Sequence, residues 1–278
     1  YFPNQGVAGN KNTIAGIMNI APDKLRVVAR NVGGSFGMKG AHYPEYYCAL
    51  YAAKKLGKPV KWTDDRSGSF LTDHHGRASL VTGELGFDKD GQIVALRLSS
   101  FANMGSQLSL LGPVPATINL VKNVASVYRT PLIEASVKCV VTNTPLVSAY
   151  RGAGRPEANY FMERLLDKAA REMKIDRVAL RKKNLIKPAQ LPWNAASGMV
   201  YDSGDFPAVL ERAVKVGDYA GFAKRKRESK KNGKLRGIAV SSFLEVTAPP
   251  GKELGKIVFE ADGTVSLITG TYDYGMGH

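Results

Sequence analysis

The run Ala149-Tyr150-Arg151-Gly152-Ala153-Gly154-Arg155-Pro156-Glu157 constrains the local fold of this chain more than any other stretch of similar length. Its two glycines let the backbone turn sharply and approach a ligand closely. Pro156 belongs in the first turn of a helix, where its missing N–H costs nothing. A helix N-terminus with unbonded N–H groups and two guanidinium forks nearby, Arg151 and Arg155, suits an anion such as phosphate, carboxylate or a metal-oxo group. An ordinary glycine turn capping a surface helix is the other reading of this loop taken alone.

A second glycine loop favours the ligand reading. Val32-Gly33-Gly34-Ser35-Phe36-Gly37-Met38-Lys39-Gly40 follows the strand-like run Leu25 to Ala29. It precedes a helix predicted from Pro44 to Leu56 and stopped by Gly57 and Pro59. Four glycines around one phenylalanine contribute no core and lose much entropy on folding. The spacing is neither the dinucleotide fingerprint nor the phosphate-binding loop of nucleotide hydrolases.

Along the chain, patterning predicts a short helix at 10–19 and strands at Leu25–Ala29 and Val60–Thr63. A hairpin follows, with strands Leu80–Phe87 and Gln92–Phe101 around the Asp88-Lys89-Asp90-Gly91 turn. Residues 116–124 read as helical and Ala135–Thr142 as a strand feeding the arginine loop. The helix from Pro156 to Met173 places Phe161, Leu165, Leu166 and Ala169 near one face. Asp176 caps a helix over Arg177–Asn184. After a Pro-containing, weakly periodic linker come a helix at Phe206–Val216, a basic segment, and strands at Gly237–Val246, Ile257–Glu260 and Thr264–Thr271. Strands and helices without strict alternation predict an α+β fold, with mixed sheets and packed helices. Both hairpins use an Asp-x-Gly type of turn, and each precedes a Met-Gly or Gly-Met pair, a pattern consistent with internal duplication. The boundaries expected are 1–186 for a first domain, 187–204 for a linker and 205–278 for the start of a second.

Composition narrows the function classes. With 278 residues and 44% hydrophobic content, the chain can bury a sizeable core. No apolar run has the length of a membrane span, and the start carries no signal-peptide pattern. Net charge +15 invites a nucleic-acid reading. Yet the densest basic run, Lys224 to Lys231, has no interleaved aromatics and no RNA-binding or zinc-finger motif. It reads as a solvated helix end with a loop, or as a surface complementary to an acidic partner subunit. Cys48 and Cys139 read as core thiols. Two cysteines cannot supply the usual four ligands of an iron–sulfur cluster. Cysteine usage suits a reducing, cytoplasmic compartment. His74-His75 reads as non-metal, because neighbours in extended chain point in opposite directions. His42, beside the first glycine loop, is open to a supporting role there.

Together the two loops resemble those of the molybdenum-binding large subunit of the xanthine dehydrogenase, aldehyde oxidase and carbon monoxide dehydrogenase family. That family closes a G-G-G-F-G-x-K loop and an A-[YF]-R-G-x-G-x-P-[EQ] loop around its cofactor. Here Ser35 replaces the third glycine of the first. A third glycine loop of the family is matched by Tyr274-Gly275-Met276-Gly277-His278, and Gln5 stands at the family's spacing upstream of Phe36. The resemblance implies a molybdenum–molybdopterin cofactor, in its dinucleotide form, contacted by Gln5, Gly34, Phe36, Gly37, Arg151, Gly275 and Met276. No protein side chain would ligate the metal directly. Backbone N–H groups around Gly37 and Gly275 would line the cofactor, and Arg151 would give it charge-assisted hydrogen bonds.

The resemblance implies hydroxylation at a carbon with water as oxygen source, with electrons leaving through 2Fe-2S clusters to FAD. Those groups would sit on a medium FAD subunit and a small iron–sulfur subunit, or on missing domains, in a dimer of heterotrimers. Gly40, Gly152 and Ala153 would face substrate. Gly152 stands where carbon monoxide dehydrogenases hold a copper-binding cysteine, so carbon monoxide chemistry is not expected. Gly40 and Ala153 replace the purine-reading glutamate and phenylalanine. An aldehyde or aromatic heterocycle is the expected substrate class. Tyr1 and His278 read as ends of a piece of a longer large subunit, whose remainder is itself a partner. The glutamate base is expected beyond His278, so this piece alone should not turn over. A non-catalytic cofactor-binding or assembly module is the second reading, discriminated by the sequence after His278.

Overall fold

The computed structural model describes residues 1–246 and 253–278. Helix α1 (Val7–Met18) ends at Asn19, which is left-handed at φ 51°. Helix α2 (Pro44–Leu56) begins on Pro44 and stops at left-handed Gly57, as the proline–glycine punctuation predicts. A short α3 (Arg66–Thr72) follows, N-capped by the Asp65 carboxylate accepting from Gly68 N–H at 2.7 Å. The flanking runs at 25–29 and 60–63 are not strands. Both are rich in strand-forming residues, but neither finds a partner ladder among the described residues.

The main sheet holds β1 (Ser79–Phe87), β2 (Ile93–Asn103) and β3 (Ile133–Val140). β1 pairs antiparallel with β2, Leu85 opposite Leu96, and β2 pairs parallel with β3, Leu98 opposite Ala135. The parallel pair requires a crossover, and residues 104–132 supply it. A turn of wide helix over Pro115–Asn119 there runs into α4 (Leu120–Asn123). Along β2, Leu96, Leu98, Ser100 and Ala102 are buried while their neighbours face out, the period of two of a half-buried strand.

Helix α5 (Arg155–Glu172) covers this sheet with Phe161, Met162, Leu166 and Ala170. Gly83 in β1 makes the contact possible, since a Cβ there would fall 2.1 Å from the Phe161 ring. Helix α6 (Arg177–Asn184) starts where expected, Asp176 accepting from Val178 and Ala179 N–H at 2.9 and 3.0 Å. Its Arg181 is completely buried against Glu163 and Asp167 of α5.

The 187–204 stretch contains a two-residue hairpin, β4 (Trp193–Asn194) with β5 (Val200–Tyr201). It is fastened to the core by buried Tyr201, whose hydroxyl donates to Ser126 O at 2.6 Å. Helices α7 (Phe206–Val216) and α8 (Phe222–Lys231) follow, the latter carrying the exposed basic run. Residues 237–246, expected as a strand, form no ladder among the described residues. Side chains hold their carbonyls instead. Arg177 donates to Ile238 O (3.0 Å), Ser126 to Ser242 O (3.2 Å) and Asn159 to Leu244 O (3.4 Å). Val240 and Leu244 then pack on the core.

The last pair is β6 (Gly255–Phe259) with β7 (Val265–Thr269). Its turn repeats the first hairpin's bonds: Gly263 N donates to Glu260 O, as Gly91 N does to Asp88 O, both at 3.1 Å. The mixed sheets and packed helices make the fold α+β. Cys48 and Cys139 are both exposed, not core thiols. Cys48 lies on the outer side of α2, and Cys139 on a strand at the sheet's edge. Among the described residues no helix is long and apolar enough to cross a membrane.

Candidate functional site

The three glycine loops, far apart in sequence, meet in space. Arg151 N–H of the arginine loop donates to Phe36 O at 2.8 Å, and Ser35 N–H donates to Tyr274 O of the third loop at 2.9 Å. The first loop is therefore the hub. Its glycines serve that junction. A Cβ on Gly37 would lie 3.0 Å from Ala149 O, and one on Gly275 would lie 2.8 Å from the Gly34 Cα. Both glycines also have positive φ, 93° and 126°, where an L side chain is strained.

Phe36 is itself left-handed at φ 53° and half-exposed, its ring folded over Gly34. The Arg151 guanidinium carbon stands 5.8 Å from that ring's centroid. Ser35, the departure from three glycines, is buried and donates its hydroxyl to Gln5 Oε1 at 2.5 Å. Gln5 N–H in turn donates to Lys39 O at 3.1 Å, and a Cβ on Gly40 would rest 3.8 Å from Gln5 Oε1. Gln5, Ser35 and Gly40 thus form one cluster.

The carbonyls of the arginine loop are drawn outward by side chains. Arg77 donates to Arg151 O, Arg155 Nη1 to Gly152 O at 3.3 Å, and Asn119 Nδ2 to Ala153 O at 2.9 Å. The N–H groups of Gly152 and Gly154 have no acceptor among the described residues, nor does that of Gly37. Carbonyls tied away and amides left over is the polarity an anionic ligand needs. Helix α5 begins one residue earlier than expected, at Arg155, with Gly154 as its N-cap. A Cβ on Gly154 would fall 2.0 Å from Pro115 O, so this glycine is fixed by packing.

The two arginines of the loop do not share one task. Arg155 contacts the Glu245 carboxylate, Nε to Oε1 at 3.0 Å, whereas Arg151 has no acidic partner among the described residues. Among the described residues, one guanidinium of this loop is left without a carboxylate, where the sequence suggests two. Arg77, Asn119 and Glu245 were invisible as participants, since none belongs to a motif. Arg77 has a positive φ (62°), and its guanidinium rests on Tyr150 at 4.8 Å while reaching the loop.

The third loop is organised by Asp273. Its Oδ1 accepts from Gly275, Met276 and Gly277 N–H at 2.7, 2.9 and 3.2 Å. These amides are already engaged, unlike that of Gly37, and Met276 is left half-exposed. The N–H groups, that of Gly275 foremost, hold the Asp273 carboxyl below its ordinary 3.8. The folded carboxyl being the stronger acid, the anchor is fully present at neutral pH and down to about pH 4, and it is lost only as pH falls further through the depressed value. A carbon-13 titration of Asp273 should give a midpoint below 3.8. A midpoint at or above that value contradicts the anchor.

His74 and His75 diverge. His74 is half-buried and stacks on Tyr43 at 4.5 Å, while exposed His75 exchanges backbone bonds with Leu146 and Ser148, both at 2.8 Å. Burial pushes the Tyr43 phenol up to about 12 and lowers His74. His42 bonds Tyr47 at 2.8 Å and touches none of the three loops by hydrogen bond.

The sequence pattern of the molybdopterin cofactor-binding domain matches residues 1–185. The chain belongs to this family. It is 29% identical over 276 residues to the 6-hydroxypseudooxynicotine dehydrogenase complex subunit gamma of Paenarthrobacter nicotinovorans, covering 98% of this chain and 35% of that one. It is 32% identical over 294 residues to the carbon monoxide dehydrogenase large chain of Hydrogenophaga pseudoflava, covering 100% and 37%. The crystal structure of quinoline 2-oxidoreductase from Pseudomonas putida 86 superposes with a TM-score of 0.92 at 26% identity, over 99% of this chain and 37% of that one. The chain thus spans about a third of the length of the curated relatives it matches. The family's cofactor suits the donors present: one guanidinium without a carboxylate, unspent amides on two loops, and an exposed phenylalanine wall.

Proposed function

We propose that the chain is the molybdopterin-binding portion of a molybdenum hydroxylase large subunit that oxidises an aromatic heterocycle or aldehyde. The convergence of the arginine loop on Phe36 and of the third loop on Gly34 and Ser35 carries this reading. When bound, the cofactor supplies two-electron oxidation of a carbon, with water as oxygen source. The chain's own residues bind and orient. Arg151 places its charge against the anionic cofactor, and the amides of Gly37, Gly152 and Gly154 donate to it. Gln5, its carbonyl held by Ser35, offers the amide nitrogen. Gly34, Gly275 and Met276 complete the enclosure, and Phe36 excludes water on one side.

On the substrate side, Gly40, Gly152 and Ala153 present no bulk and no thiolate. A small soft second metal has no ligand at 152. Names of the similar proteins point the same way, quinoline being an aromatic nitrogen heterocycle and the Paenarthrobacter protein a dehydrogenase complex subunit. FAD and 2Fe-2S clusters on medium and small subunits, a dinucleotide form of the cofactor, a heterotrimer doubled by symmetry and a cytoplasmic location belong to the same proposal, as do the domain boundaries at 186 and 205.

Arg151→Ala in the full protein should lower molybdenum and pterin content together by about tenfold, the worth of a charge-assisted contact. Elemental analysis and pterin fluorescence after denaturation measure both. Full loading of the variant would remove Arg151 from the site.

A further inference from the structure

We infer that Glu245 is a positioning residue of the cofactor site, one that locks the arginine loop by engaging Arg155. Its effect on the cofactor rests on the proposed function; its effect on the loop does not. The carboxylate arrives on the extended run 237–246, which has no strand partner among the described residues and whose carbonyls are reached by three side chains. That is an unusual expenditure of polar groups on a run with no ladder. The single Ser126 proton is shared between Asn159 Oδ1 at 2.8 Å and Ser242 O at 3.2 Å, while Asn159 Nδ2 also donates to Arg155 O at 2.9 Å, so the run is fastened beside the start of α5.

What the run delivers is Glu245. Its Oε1 meets Arg155 Nε at 3.0 Å and accepts from Val246 N–H at 2.8 Å. Its Oε2 lies 3.7 Å from where a Cβ of residue 152 would stand. Arg155 bridges this carboxylate and Gly152 O, so a single guanidinium ties the 237–246 run to the turn of the loop. The same Cβ would approach the Pro156 Cγ to 2.4 Å, so the proline ring and the carboxylate both border the space a side chain at 152 would need. Without Glu245, Arg155 would be a second unpaired cation beside Arg151 and could compete with it for the same anion. With it, the loop presents one guanidinium in one place.

Glu245→Ala and the charge exchange Arg155→Glu/Glu245→Arg test this in the full protein. In cofactor-free protein, the amides of Arg151, Ala153 and Arg155 should exchange with solvent about tenfold faster in Glu245→Ala, while those of Phe161 to Leu166 keep their rates. In cofactor-loaded preparations, molybdenum per chain should fall about fivefold in Glu245→Ala and recover in the exchanged pair, as a direct charge pairing requires. Loop amides that do not respond, helix amides that accelerate equally, or full molybdenum loading of Glu245→Ala would overturn the inference. A wild-type protein without molybdenum would count against the cofactor reading alone, and the exchange rates would still decide the role of Glu245.

Discussion

Replacing Arg181 by leucine is expected to destabilise the protein by about 3–5 kcal/mol, the cost of stranding a buried counter-charge. The guanidinium is wholly inaccessible and holds two carboxylates, Glu163 through Nη2 at 2.7 Å and Asp167 at 2.9 Å. Its Nε also donates to Glu163 Oε2 at 2.8 Å. Glu163 Oε1 accepts from Tyr128 O–H at 2.5 Å, and burial together with that carboxylate pushes the Tyr128 phenol well above its ordinary value. Burial alone would lower the Arg181 pKa, but Glu163 and Asp167 reverse the direction. Leucine leaves Glu163 without its cation in a largely buried site and Asp167 with only Arg177 at 3.7 Å. Urea unfolding monitored by tryptophan fluorescence checks the loss; a loss below about 1 kcal/mol would mean that the site is far wetter than its geometry shows.

Gly275→Ala should have the largest effect on cofactor retention. At φ 126° an L side chain is already strained, by about 1–2 kcal/mol. The new Cβ would also stand 2.8 Å from the Gly34 Cα, backbone that cannot rotate away. The loops must part, and the bond from Ser35 N–H to Tyr274 O goes with them. Cofactor content should fall by at least about tenfold, the equivalent of that strain. Gly263→Ala is the control. It is equally left-handed at φ 85° but lies in the β6–β7 turn with nothing near, so it should weaken the hairpin and spare the cofactor. Equal retention in both variants would separate the third loop from the site.

Much of this architecture was legible where the signal is local. Pro44 and Gly57 carry both boundaries of α2, and Asp176 the start of α6, in single residues, and the helices follow them. The turns at Gly91 and Gly263 were equally plain. Strands were less so, because a ladder needs a partner that sequence does not supply: 25–29, 60–63 and 237–246 read like strands and pair with nothing among the described residues. Cys48 and Cys139 were misjudged for a related reason. Burial tendency belongs to a residue type, but exposure depends on which side of α2 or β3 the residue falls. The first loop and the arginine loop were found because glycine runs interrupted by arginine or phenylalanine have few structural uses, whereas the third loop came only from the family resemblance. Arg77, Asn119 and Glu245 were not, since each acts through one long-range bond and carries no pattern of its own.

The central claim is that the first, arginine and third loops enclose one molybdenum cofactor. Anomalous scattering at the molybdenum edge from crystals of the full protein tests it most directly. The account predicts a single strong peak per large subunit, beside Phe36 and Gly275 and within reach of a cofactor held by Arg151. A peak elsewhere on the chain, or a matured protein with no molybdenum peak at all, would contradict it.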